Sequence, residues 1–397
     1  MTYYYILLIA AILLLISTVT SKIAAKLGFS SLLLTLGIGV FLGNGGQYDF
    51  DYNYPAATLR LSELALAFII FTGGFNTQWK YFKSIVGQGV TLATLGVLLT
   101  AGTTAALVYF LLGWSFWQAL LLGAIISSTD AAAVFSILES TGLKLKHRIG
   151  EVLELESGTN DPMAYFLTLG IATLMGASDK TVWSLLPQFF INMIIGLASG
   201  YLVGKVMHWL VVKVKLKRGQ NPVILISTVL ALYAVNQILG GSSFLAVYVA
   251  GIVMGNNPWE NRDYNRNFFD GFSWMMETSL FLMLGLQVYL FQIPEVLWEG
   301  LIIALFLILI ARPVGTLISY VFFKKQSWQK QLFVSWVGLR GATPIVFALI
   351  PVVHQLPGAE RLFNISFIVV VASVLLQGNT VALMARWLGV EQVEEAS

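Results

Sequence analysis

At 397 residues, 57% hydrophobic and only 11% charged, the chain departs far from a soluble domain, which is usually about 45–50% apolar and about 25% charged. Its formal net charge is +3, and with no cysteine it has no disulfide or thiolate metal site. This composition excludes a soluble globular domain and describes a polytopic membrane protein.

Apolar runs long enough for the roughly 20 residues that cross a bilayer core recur along the whole length. They place spans at 3–21, 29–44, 58–76, 84–112, 116–139, 150–176, 183–210, 221–239, 243–255, 266–291, 297–323, 331–352 and 362–388, about thirteen in all. The first lacks the basic start and Ala-x-Ala exit of a signal peptide, and the next apolar segment follows at once, so it is read as a mature span. In hydrocarbon only helices and closed barrels satisfy the backbone, and these runs are too long and uniformly apolar for barrel strands. His147, His208 and His354 fall near segment ends and read as interface residues.

Basic residues orient the spans. Lys22 and Lys26, Lys80 and Lys83, Lys144 to Arg148, Lys213 to Arg218, Arg262 and Arg266, and Lys324 to Lys330 all follow odd-numbered spans. The alternate loops hold only Arg60, Lys180 and Arg361, with the acidic tip Asp49–Asp51. The N-terminus is therefore expected outside and the C-terminus in the cytoplasm. The basic loop KVKLKRGQN, 213–221, reads as the joint between two halves. The tail EQVEEAS reads either as a natural end or as the start of a truncated cytosolic appendage.

Two spans are interrupted alike. One reads SSTDAAAVFSIL at 127–138, the other VGLRGATPIVFALI at 337–350, and the alternation above runs them in opposite directions. Broken helices at matching places in oppositely oriented halves mark inverted-repeat secondary transporters.

Acids stand out against this background, because a charge at the bilayer centre costs at least about 2.5–3.5 kcal/mol. Asp161 lies deep in the sixth span, Asp130 at the break of the fifth, and Glu156 shallower than Asp161, while Arg312 and Arg340 are similarly deep. Ser157 and Asp161 share one helix face; Glu156 and Asn160 share the neighbouring one. Two arginines for three carboxylates leave at least one acid without a permanent partner. A carboxylate among Ser, Thr and unwound carbonyls suits a hard monovalent cation, with which a proton competes. Glu154 reads as solvated near the cytoplasmic end. Glu277, deep in the tenth span, reads as a partly paired or interface residue.

STDA at 128–131, ESGTNDP at 156–162 and GLRG at 338–341, in that order, resemble the CPA1 branch of the cation:proton antiporter superfamily. The likeness is to its NhaP-type bacterial sodium/proton or potassium/proton exchangers, and STDAAAVFSIL with ESGTNDPMA looks closest to the NhaP2-like subgroup. The resemblance implies an all-helical fold with two broken helices crossing mid-membrane, as in NhaA-like antiporters. It makes Asp161 the transport carboxylate, with Ser157 and Thr129 helping to coordinate sodium or potassium. Asp130 would neutralise the helix ends at the crossing. Glu156 would pair with Arg312, Asn160 would sit beside that pair, and Arg340 would be structural. Relatives often carry an acid in the third span, where this chain reads Phe71-Thr72-Gly73-Gly74; Glu63 is about two turns away.

The reading is a single transmembrane antiporter domain in the inner membrane. Residues 84–176 and 297–388 would form the ion-carrying core, 1–76 and 221–291 a dimerisation scaffold, and 183–210 a linker. No cofactor and no nucleic-acid partner are expected; the partners are the lipid bilayer and a second copy in a homodimer. A passive cation channel and a proton-coupled symporter remain as alternatives. An intramembrane hydrolase is excluded by the lack of an intramembrane His and of a GxSxG elbow.

Overall fold

Residues 4, 8, 11–19, 31–44, 52–146, 148–176, 182–214, 217–323 and 326–392 are described in a computed structural model. The expected first span falls on it only at 4, 8 and 11–19, all helical, and His147 lies outside the described residues. The described chain is all-helical apart from turns and one isolated antiparallel bridge, Leu145 to Glu391.

The helices are α1 (Ser31–Leu42), α2 (Pro55–Asn76), α3 (Val86–Phe110), α4 (Phe116–Ile125), α5 (Ala131–Ser140), α6 (Ile149–Gly176) and α7 (Val182–Val214). Then follow α8 (Asn221–Leu239), α9 (Ser243–Asn256), α10 (Arg262–Leu286), α11 (Leu290–Tyr320), α12 (Trp328–Trp336), α13 (Thr343–Val353) and α14 (Ala359–Trp387). Six of the described helices are long and apolar enough to cross a membrane. Their ends follow local chemistry. Ser115, Ser242 and Ser327 cap α4, α9 and α12 by accepting a backbone N–H, and Gly240 ends α8 in the left-handed region at φ 69°. The tenth span differs most at its C-terminal end. It stops at Leu286 rather than 291, because Val288 turns back onto Gly285 and Leu290 N–H is taken by the Asn44 carbonyl.

Both interrupted spans are broken. Residues 126–130 separate α4 from α5, and 337–342 separate α12 from α13. The breaks meet: Asp130 N–H donates to the Leu339 carbonyl at 2.8 Å. Three long helices also contain a π turn, at Leu92–Gly96 in α3, Leu307–Ala311 in α11 and Val374–Gly378 in α14.

The helices pack in two sets. In one, α9 lies along α2, α7 and α8, and α10 lies along α1 and α2. In the other, α3 packs on α4 and α11, α4 on α6, and α14 on α11 and α13. Helices α6 and α13 touch both sets. Small residues close the α2–α9 seam: a Cβ on Gly251 or Gly255 would fall on the carbonyl of Phe71 or Phe75. The outer surface is apolar, with Trp183, Ile194, Leu309 and Leu383 exposed, which suits lipid rather than water.

Candidate functional site

Asp161 lies twelve residues into α6, ~18 Å from its start by helical rise. It is 8% exposed and lines a cavity of about 580 Å³ between the two helix sets. Ser128, in the first break, donates its hydroxyl to Asp161 Oδ1, and Thr343, at the start of α13, donates to Oδ2 at 3.5 Å. Thr129, Asp130 and Ser157 line the same cavity.

The helix period divides the motif as expected. Ser157 and Asp161 face the cavity, whereas Glu156 and Asn160 are 1% and 0% exposed and point into protein. Asn160 does not hydrogen-bond to the Glu156–Arg312 pair; its amide donates to Thr129 Oγ1 at 2.6 Å and to the Thr129 carbonyl at 3.3 Å, holding the first break open. Ser157 Oγ accepts the N–H of Ala131, at the N-terminus of α5, at 3.1 Å.

The arginines separate cleanly. Arg312 grips Glu156 with both ends of its fork, Nη1 to Oε1 at 2.5 Å and Nη2 to Oε2 at 3.0 Å, and also reaches the Val334 carbonyl. Arg340, 1% exposed, donates instead to the carbonyls of Ser127 and Ser128 at 2.6 and 2.5 Å. It thus sits just beyond the C-terminus of α4, the negative end of a helix. Asp130 sits at the opposite kind of end, accepting Ala133 N–H at the start of α5. One cation and one anion therefore face the helix ends they complement.

The GLRG motif is explained by the same geometry. A Cβ on Gly338 would lie 2.6 Å from Arg312 Nε, and one on Gly341 would fall on the Asp130 carboxylate. Gly341→Ala is expected to destabilise the protein by roughly 1–3 kcal/mol through overpacking. Gly102→Ala, where nothing lies within 4 Å, is expected to be neutral or mildly stabilising in the same thermal-unfolding assay.

Other expectations resolve differently. Thr72 and Gly73 of α2 do line the cavity, without an acid. Glu63 is elsewhere, accepting from Tyr165 and Tyr233. The further acids on the cavity are Asp270 and Glu277 of α10 and Glu154 of α6. Asp270 is bonded by Asn76 and Glu154 by Thr77, while Glu277 makes no hydrogen bond or ion pair among the described residues. Glu154 is thus a cavity residue rather than a solvated helix end, and Glu277 is a cavity acid rather than half of a pair. Sequence reasoning did not single out Thr343 or the Ser128–Asp161 contact; the hydroxyls beside the two breaks were the available signal. Among the described residues no group of three His, Cys, Asp or Glu is placed to hold a resident metal.

With this geometry in hand, three comparisons bear on the chain. The family model described as "Sodium/hydrogen exchanger, transmembrane" matches residues 10–387. A K(+)/H(+) antiporter NhaP of Alkalimonas amylolytica is 39% identical over 381 residues, covering 96% of this chain and 66% of its own. A K(+)/H(+) antiporter NhaP2 of Shewanella sp. (strain MR-4) is 37% identical, covering 95% of this chain and 66% of its own. The Na(+)/H(+) antiporter ApNhaP of Aphanothece halophytica is 27% identical, covering 93% and 71%. The chain thus spans about two thirds of the potassium relatives' length, 66% of each. The structure of the sodium proton antiporter MjNhaP1 from Methanocaldococcus jannaschii at pH 8 superposes with a TM-score of 0.85 over 98% of this chain and 99% of that one, at 21% identity.

Proposed function

The chain belongs to the transmembrane sodium/hydrogen exchanger family, and we propose that it exchanges one monovalent cation for one proton by alternating access, with Asp161 as the carboxylate that carries either. The observation that carries this reading is the placement of Asp161: a deep carboxylate on a cavity wall, beside the crossing of two helix breaks, with only hydroxyl donors on it. A bare carboxylate there is costly to move through a hydrophobic barrier. Loaded with a proton or with one cation it is neutral, so the two loaded forms cross and the empty one does not. Thr129 and Ser157 supply further oxygens at the cavity, and Asn160, which does not titrate, holds the break. Potassium is the first cation to test, since the 37–39% identical relatives carry potassium names; a sodium name belongs to the relative at 27%.

In this reading thirteen helices cross the inner membrane as an inverted repeat with an NhaA-like crossing, the N-terminus outside and the C-terminus in the cytoplasm. The set around α3–α6 and α11–α14 is the moving core, 84–176 and 297–388. The set around α1, α2 and α8–α10 is the scaffold, 1–76 and 221–291, through which two copies pair, and 183–210 links them. The test is exchange by the purified chain in proteoliposomes under an imposed pH gradient, with potassium, sodium and lithium compared. Net current without proton movement would favour a channel and overturn the exchanger.

Asp130 balances helix ends in this scheme and does not carry the ion. Asp130→Asn is therefore expected to slow exchange or reduce folding yield. Potassium is still expected to protect Asp161 of that variant from a carbodiimide. Loss of this protection in folded variant would make Asp130 a direct ligand.

A further inference from the structure

The face of α6 opposite the ion cavity borders a second cavity, of about 610 Å³, walled by α3, α6, α7 and α9. Its lining is almost wholly apolar, and several wall residues, Val90, Leu197 and Tyr201 among them, are more than two fifths exposed. In a membrane chain such a crevice is filled by hydrocarbon or by protein. One end is different: Lys205, Trp79, Asn256 and Asn257 gather there. Trp79 is fixed by its backbone N–H, which donates to Asn256 Oδ1 at 2.7 Å. Lys205 makes no ion pair among the described residues, and its ammonium lies 5.7 Å from the Tyr201 ring centroid.

We propose that this crevice binds one acyl chain of an anionic phospholipid, with the phosphate at Lys205. Three features select that occupant. The crevice has one long apolar body and one polar, cationic end, the shape and charge pattern of a phospholipid. From Phe189 to Lys205 on α7 is sixteen residues, or ~24 Å of helix, room enough for the ~15 Å hydrocarbon depth of one leaflet. Trp and Lys together at the polar end match the residues that meet headgroups at a membrane interface. The wall is also recessed between helices, which admits a chain more readily than the convex face of a second copy.

The crevice abuts the ion site through one turn of α6. Asp161 faces the ion cavity, while Pro162 and Met163 face the crevice. Tyr248 borders both. A lipid seated there presses on the turn that holds the carboxylate and lies where the two helix sets meet. Occupancy is therefore expected to change the exchange rate. That consequence rests on the transport reading; the binding does not.

The test uses native mass spectrometry of the purified full chain, offered phosphatidylglycerol and phosphatidylcholine. One phosphatidylglycerol per chain is expected, held about fivefold more tightly than phosphatidylcholine, the factor one lysine contributes near a membrane surface. Lys205→Gln is expected to erase that preference, and Leu197→Trp to expel lipid of either kind. Thermal unfolding of both variants, without added lipid, checks that they are folded. Unchanged preference in Lys205→Gln, or no lipid retained by the parent, overturns the proposal. So does self-cross-linking of Leu197→Cys chains with loss of lipid, which would make the crevice a contact between copies. Exchange is measured on the same samples in vesicles of either lipid. Its absence throughout counts against the transport reading alone, because the lipid assignment is decided by mass.

Discussion

Asp161→Asn is expected to reduce cation–proton exchange to the background of empty vesicles while leaving a folded protein. Asn has the size and polarity of a protonated Asp, so Ser128 and Thr343 keep a partner at the same place. It cannot release a proton, and it offers a cation no charge. The variant is also relieved of burying a carboxylate, so its thermal stability is expected to equal or exceed the parent's. The proposed mechanism also sets an expected stoichiometry. Asn160 does not titrate and Glu156 is held by arginine, so one proton is expected to exchange for one cation with no net charge moved. Clamping the vesicle potential at different values checks this. A rate that follows the voltage would rule out the neutral scheme, and exchange above background by Asp161→Asn would remove Asp161 as carrier.

The second large effect is structural. Glu156 and Arg312 are 1% and 2% exposed and joined by two parallel hydrogen bonds. Removing one partner strands the other charge, which costs about 3–5 kcal/mol. Glu156→Gln and Arg312→Gln are each expected to melt well below the parent. Replacing both with apolar residues of similar volume is expected to recover much of the loss, since no charge is then left alone. The half-saturating cation concentration of the surviving folded protein is expected to move little, because the pair points away from the ion cavity. Equal melting of parent and single variants would show that the pair does not stabilise the fold. A large affinity change without destabilisation would give it a direct part in binding.

Much of this arrangement is legible before any coordinates. Small polar residues in otherwise apolar runs locate both breaks, because only there does hydrocarbon-depth backbone find partners other than its own helix. The helix period separates Ser157 and Asp161 from Glu156 and Asn160. What the sequence could not decide is which elements meet. Arg312 and Arg340 are equally deep in it, and only the packing of both α11 and α6 on α3 and α12 brings Glu156 within reach of the first. Arg340 answers backbone carbonyls, which leave no mark in a sequence. The acids of α10 reach the cavity from a helix with no local sign of it, and Asn160 turns to the break because Thr129 lies across from it. The pairing of 144–146 with 390–392 is likewise a contact between distant, unremarkable residues.

The π turn at Leu307–Ala311 ends at the residue before Arg312. Relative to a regular α-helix it accommodates one extra residue, and one residue is ~100° of rotation. Deleting a single residue within that turn would let α11 run as ordinary helix, with its length and greasiness almost unchanged. Arg312 would keep its bearing on Glu156, because the wide turn is where the extra residue is absorbed; the same deletion in a regular stretch of the helix would swing it by ~100°. In this helix a one-residue gap between two related sequences therefore leaves the ion pairing intact when it falls in the π turn, and changes it when it falls in the regular helix outside that turn. The π turn in α3 makes the same reading apply there: homologues differing by one residue at either turn can share their wiring, so such a gap is length variation tolerated inside a membrane helix.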